Sequence, residues 1–207
     1  MGVLSSTTMS TEPLSKGLVE IFTGNGKGKT SAALGVALRA AGQGLRTHII
    51  YFLKGDYPYG ERKMFALLPN VTFESFGHAG FIDPNEVKDE EREQARQGLE
   101  AARRALASGK YDLVVLDEIN IAVAWKLIAV EEVLQLIEEK PQNMELILTG
   151  RHADQRLIDR ADLVTDMVEI KHPFHKGIKA RRGIDYYSCA TRGRPHTRYY
   201  KAARANK

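Results

Sequence analysis

Thr23-Gly24-Asn25-Gly26-Lys27-Gly28-Lys29-Thr30 lies between a short apolar run, Leu18 to Phe22, and an alanine-rich stretch, Lys29 to Ala41. The run predicts a strand, and the alanine-rich stretch a helix ended by Gly42 and Gly44. Three glycines let the backbone curl until successive N–H groups converge on phosphate oxygens, and the helix N-terminus behind them adds its positive dipole end. Lys29 brings a point charge to the phosphates, and the Thr30 hydroxyl is placed to ligate Mg²⁺. A glycine-rich turn that merely caps a helix has no use for lysine at both 27 and 29. The one departure from the Walker A pattern is its opening position, where Thr23 stands for glycine.

Outward from the loop, Thr47 to Leu53 predicts a second strand and completes a βαβ unit, which implies parallel strands and a right-handed crossover. From Glu86 to Ser108, Val87, Ala95, Leu99, Ala102 and Leu106 form one apolar stripe, with Glu93/Arg96 and Glu100/Arg104 at pairing distance on the wet face. Gly109 closes that helix, and Leu113 to Leu116 reads as a fully buried parallel strand. The pattern then repeats: helix Val130 to Glu139 stopped by Pro141, strand Leu146 to Leu148, short helix Asp154 to Arg160, strand Val164 to Ile170. This alternation predicts an α/β fold, a P-loop NTPase of the RecA-like kind. Its sheet is mainly parallel, flanked by helices on both faces, with ligands at the carboxyl ends of the strands.

Leu113-Val114-Val115-Leu116-Asp117-Glu118 delivers two acids at the carboxyl end of its strand, the form of a Walker B segment. Downstream of a Walker A loop, Asp117 and Glu118 are expected near Mg²⁺, directly or through water.

With 207 residues, 43% hydrophobic and 27% charged, the chain suits one compact domain. We expect a lead-in at 1–16, rich in Ser and Thr, a P-loop domain at 17–187 and a basic tail at 188–207. No run reaches the roughly 18 apolar residues of a membrane span, and the first ten residues lack the apolar stretch of a secretory signal, so the expected location is cytoplasmic. The single cysteine, Cys189, excludes an internal disulfide and cysteine zinc sites, and the six histidines show no HExxH-type pairing. Residues 176 to 207 hold ten Lys or Arg against one acid, Asp185, which leaves residues 1 to 175 net acidic although the whole chain is +4. The basic pI thus belongs to the tail, where a flexible or subunit-clasping end is the expectation and nucleic-acid binding is not.

Five ordered blocks narrow the chemistry: Phe22 through Thr30; Phe52-Leu53-Lys54-Gly55 with Gly60-Glu61-Arg62; Val115-Leu116-Asp117-Glu118-Ile119-Asn120; Leu148-Thr149-Gly150-Arg151; and Lys171-His172-Pro173-Phe174 leading to Gly177-Ile178-Lys179-Ala180 and Gly183-Ile184-Asp185-Tyr186. In these the chain resembles the P-loop ATP:corrinoid adenosyltransferases, over about Gly17 to Tyr186. The resemblance implies attack of the Co(I) centre of a reduced corrinoid on the ribose C5′ of ATP, with triphosphate leaving. It implies that Gly24, Asn25, Gly26, Lys27, Gly28, Lys29, Thr30 and Ser31 hold ATP, together with Arg39. Lys29, Thr30 and Glu118 act in catalysis, and Thr30, Asp117 and Glu118 hold Mg²⁺. Phe81, in Phe76-Gly77-His78-Ala79-Gly80-Phe81-Ile82, is the expected corrinoid contact, although Ile82 and Asp83 stand where a tryptophan is often found. Phe76, His78 and Trp125 have ordinary packing or loop roles as the competing reading, and Lys54, Glu61 and Arg62 are candidates to line the cleft. The implied partners are a reductant such as a flavodoxin and a second copy of the chain.

A second lysine in the loop suits a leaving group that departs as a whole triphosphate. The nucleophile is a reduced metal with no proton to lose, in keeping with the absence of an obvious His and carboxylate pairing. The alternative is a P-loop ATPase or small-molecule kinase that releases ADP, with Glu118 positioning water or an acceptor hydroxyl. A third reading, from a different class, is a non-catalytic nucleotide- or nucleic-acid-binding module that uses the basic tail.

Overall fold

Short apolar runs become strands because they can be buried on both faces only when helices cover both sides of a parallel sheet. A computed structural model describes residues 14–55, 59–78, 86–179, 181 and 183–184. In order, its elements are β1 (Val19–Thr23), α1 (Lys29–Gly42), β2 (Thr47–Tyr51), α2 (Gly60–Phe65), β3 (Val71–Ser75), α3 (Asp89–Ala107), β4 (Leu113–Asp117), α4 (Ile119–Ala124), α5 (Val130–Glu139), β5 (Glu145–Thr149), α6 (Gln155–Arg160) and β6 (Leu163–Asp166), followed by a 3₁₀ turn at Pro173–Lys176. The strands form one sheet in the order β3-β2-β4-β5-β1-β6, and every pairing is parallel. The sheet expected to be mainly parallel is wholly so among the described residues.

Alternate residues of each central strand feed two cores. Ile49 and Tyr51 of β2, Leu113 and Val115 of β4 and Ile147 of β5 pack with Ala33, Leu34 and Ala37 of α1 and Phe65 of α2. Ile50, Val114, Leu116, Leu146 and Leu148 pack on the opposite face with Ala95, Leu99, Ala102 and Leu106 of α3, Val133 and Leu136 of α5 and Leu157 of α6. Each fully buried aliphatic side chain contributes about 1.5–3 kcal/mol. The predicted stripe of α3 is the one that is buried. Gly98 on that helix packs tightly against the segment after β2, since a Cβ there would sit 2.7 Å from the Phe52 ring.

Three sequence expectations shift. The long helix starts at Asp89 rather than Glu86, because the Glu91 carboxylate accepts the Lys88 N–H at 2.8 Å and sets the first turn there. Glu93 pairs with Arg96 as expected, but Glu100 faces Arg103 at 3.7 Å while Arg104 reaches across to Glu74 at 4.0 Å. β6 ends at Asp166 rather than Ile170, because Met167 turns toward the glycine-rich loop and gives its backbone groups to Thr23 and Gly26. The elements α2 and β3 lay outside the sequence reading. β3 is an edge strand whose buried Val71 and half-buried Phe73 alternate with exposed residues. Residues 1–13 of the expected lead-in at 1–16, Cys189 and the tail at 188–207 lie outside the described residues, among which no helix is long and apolar enough to cross a membrane.

Near the amino ends of β1 and β5, burial pushes the Glu20 carboxyl up from the usual 4.5 to about 7; a hydrogen bond with Glu145 and that neighbour's charge add to the effect, and Arg39 opposes it. The folded value exceeds the unfolded one, so folding favours the protonated acid, and wild-type stability falls as pH rises through 7. Glu20→Gln should therefore raise the Tm at pH 8 and change it little at pH 5, read by thermal denaturation; equal shifts at both pH values would contradict this. Gly98→Val should lower stability by about 1–3 kcal/mol through overpacking against Phe52, measured by urea titration.

Candidate functional site

The loop after β1 is curled by glycine. Gly24 and Gly28 have φ of 94° and 126°, and a Cβ on Gly24 would lie 2.1 Å from Asp166 Oδ1. Gly26 donates its N–H to the Met167 carbonyl at 2.6 Å, and Met167 donates to Thr23 at 2.9 Å, so the exit of β6 braces the loop from outside. Lys29, 9% exposed, turns back under the loop and donates to the carbonyls of Gly24 and Gly26, both at 2.7 Å. Its ammonium is lowered from the ordinary lysine value by burial and then by Arg151, against the opposing pull of Glu118, Asp117 and Asp166.

Helix α1 begins without a side-chain cap and without an acid in its first turn. Its first N–H groups therefore keep their capacity for an anion. Asn25, Lys27 and Ser31 are exposed around this end. Lys27 Nζ donates to the Ile184 carbonyl at 3.1 Å, which joins the glycine-rich loop to the C-terminal block of the sequence.

Opposite the loop, Asp117 ends β4 with 0% exposure. An uncompensated buried charge costs about 3–5 kcal/mol, so such a carboxylate needs donors. It has them from the start of α1, the tip of β5 and the segment after β2: Thr30 Oγ1 donates to Oδ1 at 2.9 Å, Thr149 Oγ1 donates to the same oxygen at 2.6 Å, and Lys54 Nζ donates to Oδ2. β5 stands between the loop strand β1 and the acid strand β4, and Thr149 at its tip closes that gap. The same hydroxyl accepts the Glu118 N–H at 3.0 Å. Glu118 takes a left-handed φ of 68°, which swings its side chain out of line with β4 at the start of α4. Burial raises its carboxyl above the ordinary range; Lys54 opposes this and Asp117 reinforces it.

Lys54 leaves β2 through another left-handed residue, Leu53 with φ 60°. Its ammonium lies 3.3 Å from Thr30 Oγ1 and 3.8 Å from Glu118 Oε1, between the Tyr51 and Tyr59 rings at 5.8 and 5.4 Å. Burial alone would lower it, but Asp117 and then Glu118 hold it above the ordinary lysine value. Arg62 is a support beside this group: it is buried, lies 4.3 Å from the Tyr51 ring and donates to Gly55 O and Ser75 Oγ, each at 2.9 Å.

Of the residues expected from sequence, the structure thus brings Gly24 through Thr30, Asp117 and Glu118 to one end of the sheet, with Ser31 at its margin. Arg39 is not brought there: it lies exposed in the last turn of α1, about 15 Å along the axis from Lys29 and near Glu20. Phe81 lies outside the described residues. Phe76 packs against the core beside Gly98, and Trp125 caps the end of α4, half-buried against the same core. Thr149, Asp166 and Arg151 escaped the sequence reading as site residues. The signal for the first and last was present in Leu148-Thr149-Gly150-Arg151, one of the five blocks that carry the resemblance, at the end of a predicted strand.

A glycine-rich loop and uncapped helix end facing a buried strand-end acid across a parallel sheet define a P-loop nucleotide-binding protein. The family model described as ATP:corrinoid adenosyltransferase BtuR/CobO/CobP matches residues 15–186. The corrinoid adenosyltransferase of Escherichia coli (strain K12) is 38% identical over 172 residues, 83% of this chain and 86% of the relative. The corrinoid adenosyltransferase CobA of Salmonella typhimurium is 37% identical over 172 residues, again 83% and 86% of the two chains. That of Pseudomonas aeruginosa is 35% identical over 172 residues, 83% of this chain and 84% of the relative. The chain belongs to the ATP:corrinoid adenosyltransferase family, a family of transferases.

Thr149→Val keeps the shape but removes a donor from Asp117 and an acceptor from Glu118. It should cost about 1–3 kcal/mol of stability in chemical denaturation, whereas the same change at exposed Thr165 should cost little.

Proposed function

We propose that the chain transfers the 5′-deoxyadenosyl group of ATP to the Co(I) centre of a reduced corrinoid, in the making of adenosylcobalamin. The Co(I) electron pair forms the cobalt–C5′ bond as the C5′–O bond breaks, and the oxygen leaves with intact inorganic triphosphate. The observation that carries this reading is the opposition of the uncapped α1 terminus to the Thr30–Asp117 contact of 2.9 Å. The loop and helix-end amides of residues 27–31 and the ammonium groups of Lys27 and Lys29 grip the triphosphate where charge grows as it departs. Lys29 exchanges its two loop carbonyls for phosphate oxygens. No residue has to take a proton from the nucleophile, so orientation and charge supply the catalysis.

Thr30, Asp117 and Glu118 are hard oxygen donors of the kind Mg²⁺ prefers, and the Lys54 ammonium already stands among them as a cation. These residues fit the ion and would hold it, in part through water; it would supply charge neutralisation to the polyphosphate. Phe81 is assigned to the corrinoid side as part of the same proposal, whereas Arg39, a helix length from the loop, has no part in it. The catalytic unit is residues 17–187, with 1–16 and 188–207 as appendages, and its setting is the cytoplasm, with a flavodoxin-type reductant supplying Co(I). A homodimer is supported by the outer edge of β6, where Leu163 and Val164 are exposed in company with Val168 and Ile170.

Under anaerobic conditions with MgATP and chemically reduced cobalamin or cobinamide, the products should be adenosylcorrinoid and triphosphate. ADP and phosphate formed equally well without corrinoid would reject the transferase. Lys29→Ala should lower kcat at least about 100-fold while far-UV circular dichroism and cooperative melting persist.

A further inference from the structure

The ammonium of Lys54 lies where the Thr30 hydroxyl and the Asp117 and Glu118 carboxylates converge. Those are the groups assigned above to Mg²⁺, so a lysine and a divalent ion have claims on one point. We propose that Lys54 is a resident counter-ion of this acid pair that excludes the metal until nucleotide arrives, and that metal entry displaces its ammonium toward the polyphosphate. The proposal rests on the nucleotide and metal reading of the preceding subsection.

Three observations carry it. The first is position: Lys54 touches all three groups at once, with only 13% of its side chain exposed, so no hydrated ion fits beside it at the Asp117 oxygen it holds. The second is construction. Leu53 bears a left-handed backbone that a leucine adopts only when its surroundings impose it, and Lys54 N donates to Phe76 O at 3.3 Å. Gly77, with φ 122°, allows this close approach, since a Cβ there would lie 2.9 Å from Leu53 Cα. The chain is bent on purpose to aim Lys54 inward. The third is an alternative seat. The Tyr51 and Tyr59 rings flank the ammonium, and the Tyr51 hydroxyl is buried with no hydrogen-bond partner among the described residues. That oxygen can accept a hydrogen bond from the ammonium as it swings off Asp117 on its way to the phosphates.

The chemistry gives the arrangement a use. With one of the two acid charges already balanced by Lys54 and its place at Asp117 taken, Mg²⁺ alone gains less by binding. Arrival of a polyphosphate adds negative charge that both the metal and the freed ammonium can satisfy. Metal and nucleotide then bind with positive coupling, and the charge of Lys54 is conserved by moving onto the phosphates.

The test is Mn²⁺ binding followed by electron paramagnetic resonance on the full-length protein. Wild type should bind Mn²⁺ weakly alone and at least about tenfold more tightly with saturating ATP. Lys54→Met should bind Mn²⁺ without nucleotide at least about tenfold more tightly than wild type, and Mn²⁺ should raise its melting temperature where it leaves that of wild type unmoved. Lys54→Arg, which keeps the charge, should resemble wild type. Should Lys54→Met fail to fold, Lys54→Gln retains a donor for Asp117 without the charge and is read in its place. Unchanged nucleotide-free Mn²⁺ affinity in the neutral variant overturns the counter-ion role. Absence of any ATP-dependent Mn²⁺ site in wild type overturns instead the metal assignment on which it rests.

Discussion

The buried carboxylate of Asp117 constrains everything around it. A charged oxygen pair sealed at the tip of the central strand β4 is tolerated only if donors surround it, and the fold supplies three: Thr30 at the start of α1, Lys54 after β2 and Thr149 at the tip of β5. Those contacts also position the phosphate loop, because Thr30 is the second residue of α1 and cannot reach Asp117 unless the helix end sits directly above the sheet. The polar site and the apolar sheet are therefore one structure. The sheet fixes where the strand tips stand, and the carboxylate fixes what must project from them.

Strain gathers where that demand is greatest. Among the described residues, four other than glycine have positive φ, and two of them lie at the acid pair: Glu118 is one of its members and Leu53 precedes Lys54. Each turns the chain sharply just past a strand so that a charged side chain enters the cluster rather than continuing along the strand direction. The interior layers of α1, α3 and α5 on the two sheet faces provide the rigidity that such turns require. The loop is braced from the opposite side by Met167, so the phosphate-binding backbone is held from β6 as well as from below by Lys29. Membership of the ATP:corrinoid adenosyltransferase family gives this arrangement its chemistry: a cradle suited to a polyphosphate that leaves whole.

Much of this was legible in the chain before any coordinates. Strand and helix alternation, the glycine spacing from Gly24 to Gly28 and the acids after Leu116 are local patterns, and local patterns are set by backbone sterics and side-chain burial within a few residues. Hence the positions of β1, α1, β4 and α5, and the convergence of the loop with Asp117, were readable from the primary structure. The edge strand β3 was not, because it is buried on one face only and its signal is a weak alternation.

What only the tertiary structure decided is contact between residues distant in the chain. That Thr149 would clasp Asp117, that Lys54 would lie between that acid and Thr30, and that Arg39 would stand a helix length from the loop follow from strand order and helix geometry, which no short window of sequence contains. Likewise β6 stops at Asp166 because Met167 is drawn to the loop of another strand, although its own residues read as a longer strand. The sequence by itself determined the central strands, the glycine-rich turn that opens α1 and the acids that end β4, since those depend on near neighbours. The distribution of charge around the acid pair was left to the packed sheet, because burial and long-range pairing exist only once the strands have come together.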